Sequence, residues 1–345
     1  MRDEREKVLK QTSNPRNPWV AYEVDWDSEP PMQEVEVFLD NSSGILSKND
    51  SPDIPFTYSL NPYRGCYHAC AYCYARPTHQ YLDFGAGTDF DRRLVVKPNA
   101  PELLRREFER PSWKGDVVVF SGVTDCYQPL ERHWQLTRRC LEVCVDYRNP
   151  VGIITKGTLV ERDIDLFSEL TKNAHCTVAV SLPFLDKHSA RCIEPNAPSP
   201  MRRLRIIETL TAAGIPVAIN VAPIIPGLND HEIPGILKAA RNAGAQFAGR
   251  TLIRLPGPVA TVFEERLRIA FPQRAKRIMA RIDAVRGGDI QESRYGRRMT
   301  GTGDAWHVVE TMFDRVASSL GYNSLPTAPG VSTFCRPTAQ LRLFD

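Results

Sequence analysis

Residues 61–76, NPYRGCYHACAYCYAR, place Cys66, Cys70 and Cys73 in the spacing C-x3-C-x2-C. FTYSL (56–60) just before them reads as a short strand, so the thiols belong to a loop that leaves a strand end. Three readings of the loop compete. Thiols without a ligand would make three cysteines among small and aromatic residues a coincidence. A zinc ion takes four tetrahedral ligands, usually from C-x2-C pairs, and His68 as the fourth would strain the neighbouring spacing. A four-iron cluster on three thiolates leaves one iron without a protein ligand, and an open metal position is what a catalytic site keeps.

Outward from the loop, short β-branched runs alternate with amphipathic stretches. Strands are expected at DVVVF (116–120), VGIIT (151–155), CTVAVSL (176–182), PVAINVAPI (216–224) and RTLIRL (250–255). Helices are expected over 99–110, 130–147, 159–173 and 199–214, the last ending at Gly214, and over 231–244 with an early interruption at Pro234. Continuous apolar runs suit strands covered on both faces, and the regular alternation argues for a parallel sheet with right-handed crossovers. Six strand–helix units are too few for a closed eight-fold barrel, so the fold expected is α/β, an open (β/α)6 partial TIM barrel. Its chemistry should gather on loops at the C-terminal strand ends. The expected layout is an irregular, acidic N-terminal segment over 1–55, the core over 56–257, and a helical, basic C-terminal extension over 258–345.

The chain has 345 residues, 42% hydrophobic and 25% charged, with a net charge of +3. Residues 1–50 carry 6 Lys/Arg against 11 Asp/Glu, and the remainder 38 against 30, a surplus compatible with an anionic partner. There is no 18-residue apolar run and no apolar core near the N-terminus, so no membrane segment or secretion signal is indicated and a cytoplasmic location is expected. Nine cysteines in a reducing compartment point to metal or catalysis before disulfides.

The three-cysteine loop after the first strand resembles the radical S-adenosylmethionine (SAM) superfamily. Within it, NPYRGCYHACAYCYAR, SGVTDCYQPLE (121–131), ITKG (154–157), EPNAPSPMRRL (194–204) and VAPIIPGLND (221–230) resemble the spore photoproduct lyase-like group, often labelled DNA repair photolyases. The resemblance implies a [4Fe–4S] cluster on Cys66, Cys70 and Cys73, reductive cleavage of S-adenosyl-L-methionine, and removal of a substrate hydrogen atom. It implies Thr124, Lys156 and Ser181 against the methionine moiety of the cofactor, with Tyr72 and the segment around Ala222 flanking its adenine. An external electron donor of flavodoxin or ferredoxin type and a monomeric enzyme are expected. The sequence departs from the lyase where that enzyme has its hydrogen-donor cysteine: the position is Gly122 here. Cys126 and Tyr127 lie just beyond it and are chemically suited to hydrogen-atom donation.

Other residues are less decided. Cys140 and Cys144 share a helix face and, with Cys176 or Cys192, could seed a second cluster, but their apolar neighbours favour a helix core. Asp125, Glu131 and Glu194 are acidic groups near strand ends that could position a ribose, a substrate or a cation such as Arg202. Residues 274–298 hold eight Lys/Arg, three Asp/Glu and Tyr295, a candidate nucleic-acid surface. GTG (301–303) alone is weak evidence for phosphate binding. Two classes of function remain: a radical SAM enzyme on nucleic acid, peptide or small molecule, and an iron–sulfur- or zinc-stabilised nucleic-acid-binding module without turnover.

Overall fold

A computed structural model describes residues 35–324 and 332–337. Ten strands form two sheets: β1 Glu36–Leu39, β2 Leu46–Lys48, β3 Tyr58–Leu60, β4 Tyr63–Arg64, β5 Arg93–Val96, β6 Val118–Phe120, β7 Val151–Thr155, β8 Cys176–Ser181, β9 Val217–Ile224 and β10 Phe247–Leu252. The large sheet runs β10-β9-β8-β7-β6-β3-β2. Every neighbouring pair from β3 to β10 is parallel, and β2 adds an antiparallel edge to β3. Six parallel strands with helices between them and two open ends make the expected partial barrel. Val, Ile and Leu side chains of β6 to β9 are almost wholly buried, which is why these strands read as apolar runs and not as alternations.

The differences from expectation have local causes. The span 130–147 is two helices, Glu131–Trp134 and Leu136–Asp146, broken at Gln135, whose φ is +50°. The buried Glu131 carboxylate accepts from Thr137 N at 2.9 Å and Arg138 N at 3.2 Å, capping the second helix at its positive end. Pro234 does not interrupt its helix but lies in the first turn of Ile233–Asn242, where its missing N–H costs nothing. The sixth strand begins at Phe247, three residues earlier than expected, and its pairing with β9 shifts register between Arg250 and Leu252. Its half-exposed FAGR segment lacks the apolar signature of the other strands.

The N-terminal segment expected to be irregular carries two strands in its described part. β1 pairs parallel with β5, and β5 pairs antiparallel with β4. This small sheet closes over Tyr63, Tyr67, Leu94, Val96, Leu130 and Leu136, an apolar cluster directly beneath the cysteine loop. Beyond β10, the helices Pro258–Ala270, Ala275–Val285 and Gly303–Ser319 form the C-terminal part. Among the described residues no helix is long and apolar enough to cross a membrane.

Candidate active site

The cysteine loop leaves the C-terminal end of β3 and is tied down from every side. Gly65 has φ +76°, and a Cβ there would stand 2.7 Å from both the Phe90 carbonyl oxygen and His79 Cε1, so only glycine fits the turn that opens the loop. Arg76, 3% exposed, donates five hydrogen bonds to loop carbonyls: Ala69 and Cys70 on one side, Ala86 and Gly87 on the other. Gln128 accepts from Tyr67 N and donates to the Gly65 carbonyl. From the far side of the barrel, Ala71 N donates to the Ile193 carbonyl and Asn196 donates through its amide to the Tyr67 carbonyl. The loop beyond β6 is tied to the same stretch, since the Asn61 amide oxygen accepts from Val123 N and Thr124 N.

Two buried acidic hubs surround the loop. Asp125 accepts from the Thr155 hydroxyl at 2.7 Å, Lys156 N at 2.8 Å and Tyr127 N at 2.9 Å, and lies 3.4 Å from His68 Nδ1. Burial opposes its charge, but His68 and these donors hold the carboxyl well below the usual range. Glu194, 1% exposed, accepts from the Tyr72 hydroxyl, pairs with Arg203 at 2.5 Å and stands 3.8 Å from Lys156 Nζ. Burial raises its pKa, and Arg203 and Lys156 overcome burial to lower it. The Lys156 ammonium also lies 5.8 Å from the centre of the Tyr72 ring. Burial works against that ammonium, while Cys70 and Glu194 more than compensate, so it stays protonated.

Tyr72 belongs to the loop itself, Lys156 meets its ring, Thr124 is tied by its N–H to Asn61, and Thr124, Lys156 and Ser181 stand at or just beyond the C-terminal ends of β6, β7 and β8. Ser181 ends β8, with its carbonyl held by Arg203 at 3.1 Å, and Ala222 lies on β9. Thr124 Oγ1 is buried with no hydrogen-bond partner, and so is His68 Nε2. Unpaired polar atoms in a buried place cost free energy, which a bound polar ligand would recover. Among the described residues no three His, Cys, Asp or Glu side chains converge on one metal-ion position. The donor set, three thiols beside an ammonium and an unsatisfied hydroxyl, fits a cluster with an adjoining carboxylate-bearing ligand.

Several sequence expectations need correction. Cys126 and Tyr127 are fully buried in the main core, and the Tyr127 hydroxyl donates to Asp163 at 3.0 Å, within a network that also holds Arg138 and Arg162. Thr124 beside them is buried to the same degree, so burial does not separate a packing role from hydrogen-atom donation. The departure at Gly122 is built into the fold, since a Cβ there would come within 2.8 Å of Ser59 Cβ. Cys140, Cys144 and Cys176 lie in the apolar core as the helix-core reading expects. Arg202 pairs with Glu161, and it is the next residue, Arg203, that meets Glu194. Glu131 serves as a helix cap, an ion-pair partner of Arg162 and the acceptor of the Tyr63 hydroxyl. GTG is a packing device: a Cβ on Gly301 would stand 2.6 Å from the Trp306 ring. In 274–298, Arg274, Arg286 and Arg298 are bound internally and the exposed Arg294 pairs with Glu292, while Lys276, Arg277, Arg281 and Arg297 are exposed as well. Sequence reasoning missed Arg76, the His68–Asp125 contact and the Gln128 and Asn196 ties, because lone polar residues in loops carry no periodic signal.

Comparison with known proteins agrees with this geometry. The family described as Radical SAM superfamily matches residues 60–240. An uncharacterized protein of Mycobacterium tuberculosis is 41% identical over 201 residues, 57% of this chain and 59% of that protein. The radical SAM Nalpha-GlyT isomerase of Pseudomonas phage M6 is 26% identical over 172 residues, 50% of this chain and 34% of the isomerase. The matches thus span less than two thirds of these relatives' own lengths. Among solved structures, spore photoproduct lyase complexed with dinucleoside spore photoproduct has the same fold, with a TM-score of 0.58 at 14% identity over 84% of this chain and 81% of that chain. With a loop of three tethered thiols at the end of the first barrel strand and a family match over residues 60–240, the chain belongs to the radical SAM superfamily.

Proposed function

We propose that the chain is a radical SAM enzyme acting on nucleic acid. The observation that supports the reading is the Lys156 ammonium set over the ring of Tyr72 inside the three-cysteine loop, with the unsatisfied Thr124 hydroxyl following the neighbouring strand β6. Cys66, Cys70 and Cys73 would hold a [4Fe–4S] cluster, and S-adenosyl-L-methionine would lie against it. When bound, these groups supply one-electron chemistry that ends in removal of a substrate hydrogen atom.

The protein's own part is positioning and charge. Lys156 and Thr124 offer an ammonium and a hydroxyl to a carboxylate, the charge-assisted pairing such a ligand wants. Glu194 neutralises part of the Lys156–Arg203 charge and so leaves a net positive place for an anionic group. Ser181 would join Lys156 and Thr124 at the methionine end, and Tyr72 and Ala222 would flank the adenine. The His68–Asp125 contact and the Arg76 clamp keep the loop from moving while the ligand is held. An external reductant must supply the electron.

Nucleic acid as the substrate is supported by the exposed Lys276, Arg277, Arg281 and Arg297, by the exposed Tyr295 in the same stretch of chain, and by the dinucleoside bound in the lyase of the same fold. The test is anaerobic reconstitution followed by dithionite and S-adenosyl-L-methionine. The outcome expected is 5′-deoxyadenosine with about four irons per chain, and DNA or RNA should change its rate of formation. Zinc in place of iron, or a cluster that never cleaves the cofactor, would return the protein to the binding-module reading.

A further inference from the structure

Arg254 lies just beyond β10, at the same end of the sheet as the cysteine loop. Its guanidinium carbon stands 5.6 Å from the ring centre of Tyr74, the residue that follows Cys73. The Tyr74 hydroxyl donates to the Gly122 carbonyl at 2.6 Å, which fixes the ring beside the loop, and the residue remains 46% exposed. Arg254 itself is half-buried. Its Nε is sealed without an acceptor, and the polar contact it makes is from Nη1 to the Met299 thioether at 3.8 Å.

Neighbouring cations are treated differently. Arg298 is paired with Asp53 at 2.9 Å, Arg250 with Asp314 at 2.5 Å, and Arg286 donates to the carbonyls of Ile253, Arg297 and Thr300. Arg254 forms no ion pair among the described residues, although burial and the charge of Arg298 both disfavour its own. A half-buried guanidinium without a carboxylate or carbonyl is costly unless an anion arrives to meet it. Beside it stands a second arginine–tyrosine pair, with Arg298 4.6 Å from the Tyr295 ring centre and Tyr295 56% exposed. With Arg298 held by Asp53, the cation left open is Arg254, and an open cation beside the two exposed rings of Tyr74 and Tyr295 suits a phosphate flanked by bases.

We propose that Arg254 and Tyr74 form the substrate subsite for a backbone phosphodiester, with the guanidinium on the phosphate oxygens and the Tyr74 ring against the adjoining base. The proposal rests on the nucleic-acid reading above and names the group recognised. It is tested on reconstituted full-length protein by titration with dinucleoside monophosphates and with the matching nucleosides. The dinucleotide should bind about tenfold tighter than the nucleoside, and Arg254→Gln should bring the two within about twofold. The same variant should lower the salt slope of dinucleotide binding by about one, and Arg254→Lys should keep part of the advantage. Cluster absorbance and substrate-free cleavage of S-adenosyl-L-methionine should match the parent in both variants, which shows that the fold is intact. An unchanged dinucleotide advantage in Arg254→Gln overturns the subsite, and so does equal, Arg254-dependent binding of a peptide with a free carboxylate. Loss of cofactor cleavage in the parent, with Arg254-dependent dinucleotide binding retained, would instead sink the enzymatic reading and leave the subsite standing.

Discussion

Two sets of three cysteines lie in this barrel, and they differ a little in depth and more in surroundings. Cys140, Cys144 and Cys176 are at most 1% exposed, while Cys66 and Cys70 are 7% and 6% exposed and Cys73 is partly exposed. The core set sits among Leu, Val, Phe and Ile side chains between the helix Leu136–Asp146 and β8, where burial pushes the thiols far up and no cation offsets it for Cys144 or Cys176. Burial pushes the Cys70 thiol up too, Glu194 and the other loop thiols add to the rise, and Lys156 opposes it, as Arg76 does at Cys73. What sets the loop apart is the presence of cations beside its thiols, the surroundings a thiolate ligand needs.

The sharpest way to break this contrast is to remove each set. Replacing Cys66, Cys70 and Cys73 together by Ala should abolish iron binding and the brown absorbance of anaerobic protein, an all-or-none change. The matching replacement of the core set should leave iron per chain unaltered. Retained iron and sulfide in the first variant would overturn the assignment of the loop.

What the sequence made legible follows from where the signal lies. The barrel was readable because β6 to β9 are apolar on both faces, and the loop because thiols at fixed spacing are rare by chance. The small sheet was not readable. β4 is two residues long inside the cysteine stretch, and β1 leaves Val37, Phe38 and Leu39 exposed, so neither shows a period. Arg203 was passed over for Arg202 because sequence alone does not say which of two adjacent helix residues faces inward.

Arg76 is the second lever. Arg76→Met keeps the stem and removes the donors, leaving the carbonyls of Ala69, Cys70, Ala86 and Gly87 without their partner and Asp91, 3.6 Å away, without its cation. Loss of a buried charged donor of this kind costs about 3–5 kcal/mol. Cluster occupancy after reconstitution should fall severalfold, and denaturant unfolding should report the lost stability. Full iron content in this variant would mean that the loop holds its shape without the clamp.

Glu194 gives a pH-dependent version of the same contrast. Its pKa is lowered in the folded protein, so its contribution is complete above the unfolded carboxylate range, about pH 4–5, and is lost as pH falls through the lowered folded value. Glu194→Gln should cost about 2–3 kcal/mol near neutral pH, because Arg203 stays buried without its counter-ion. The gap between parent and variant should shrink on going from about pH 6 to about pH 3, read by urea unfolding at each pH. A gap that does not change with pH would show that the carboxylate is not charged in the fold. No such pH dependence is expected around Cys144, whose surroundings are apolar.

The smallest effect expected is at Cys126, and it decides to which set that residue belongs. Cys126 is fully exposed to none of the solvent, its carbonyl accepts from the Thr137 hydroxyl at 2.7 Å, and its side chain is part of the same apolar core as Cys140. Cys126→Ala removes one sulfur from a packed place, a loss of about 1–2 kcal/mol in the manner of other small core truncations. Cys144→Ala should cost the same amount for the same reason. If Cys126 is a core thiol, its variant should match Cys144→Ala in three respects: iron per chain, 5′-deoxyadenosine formed, and the identity of the product made from substrate. A changed product with intact cluster and cofactor cleavage would move Cys126 out of the core set, and would mean that the loop after β6 opens during turnover to bring the thiol to the reacting atom. Burial argues against that movement, since the loop is held at Asn61, Ser121 and Asp125 together.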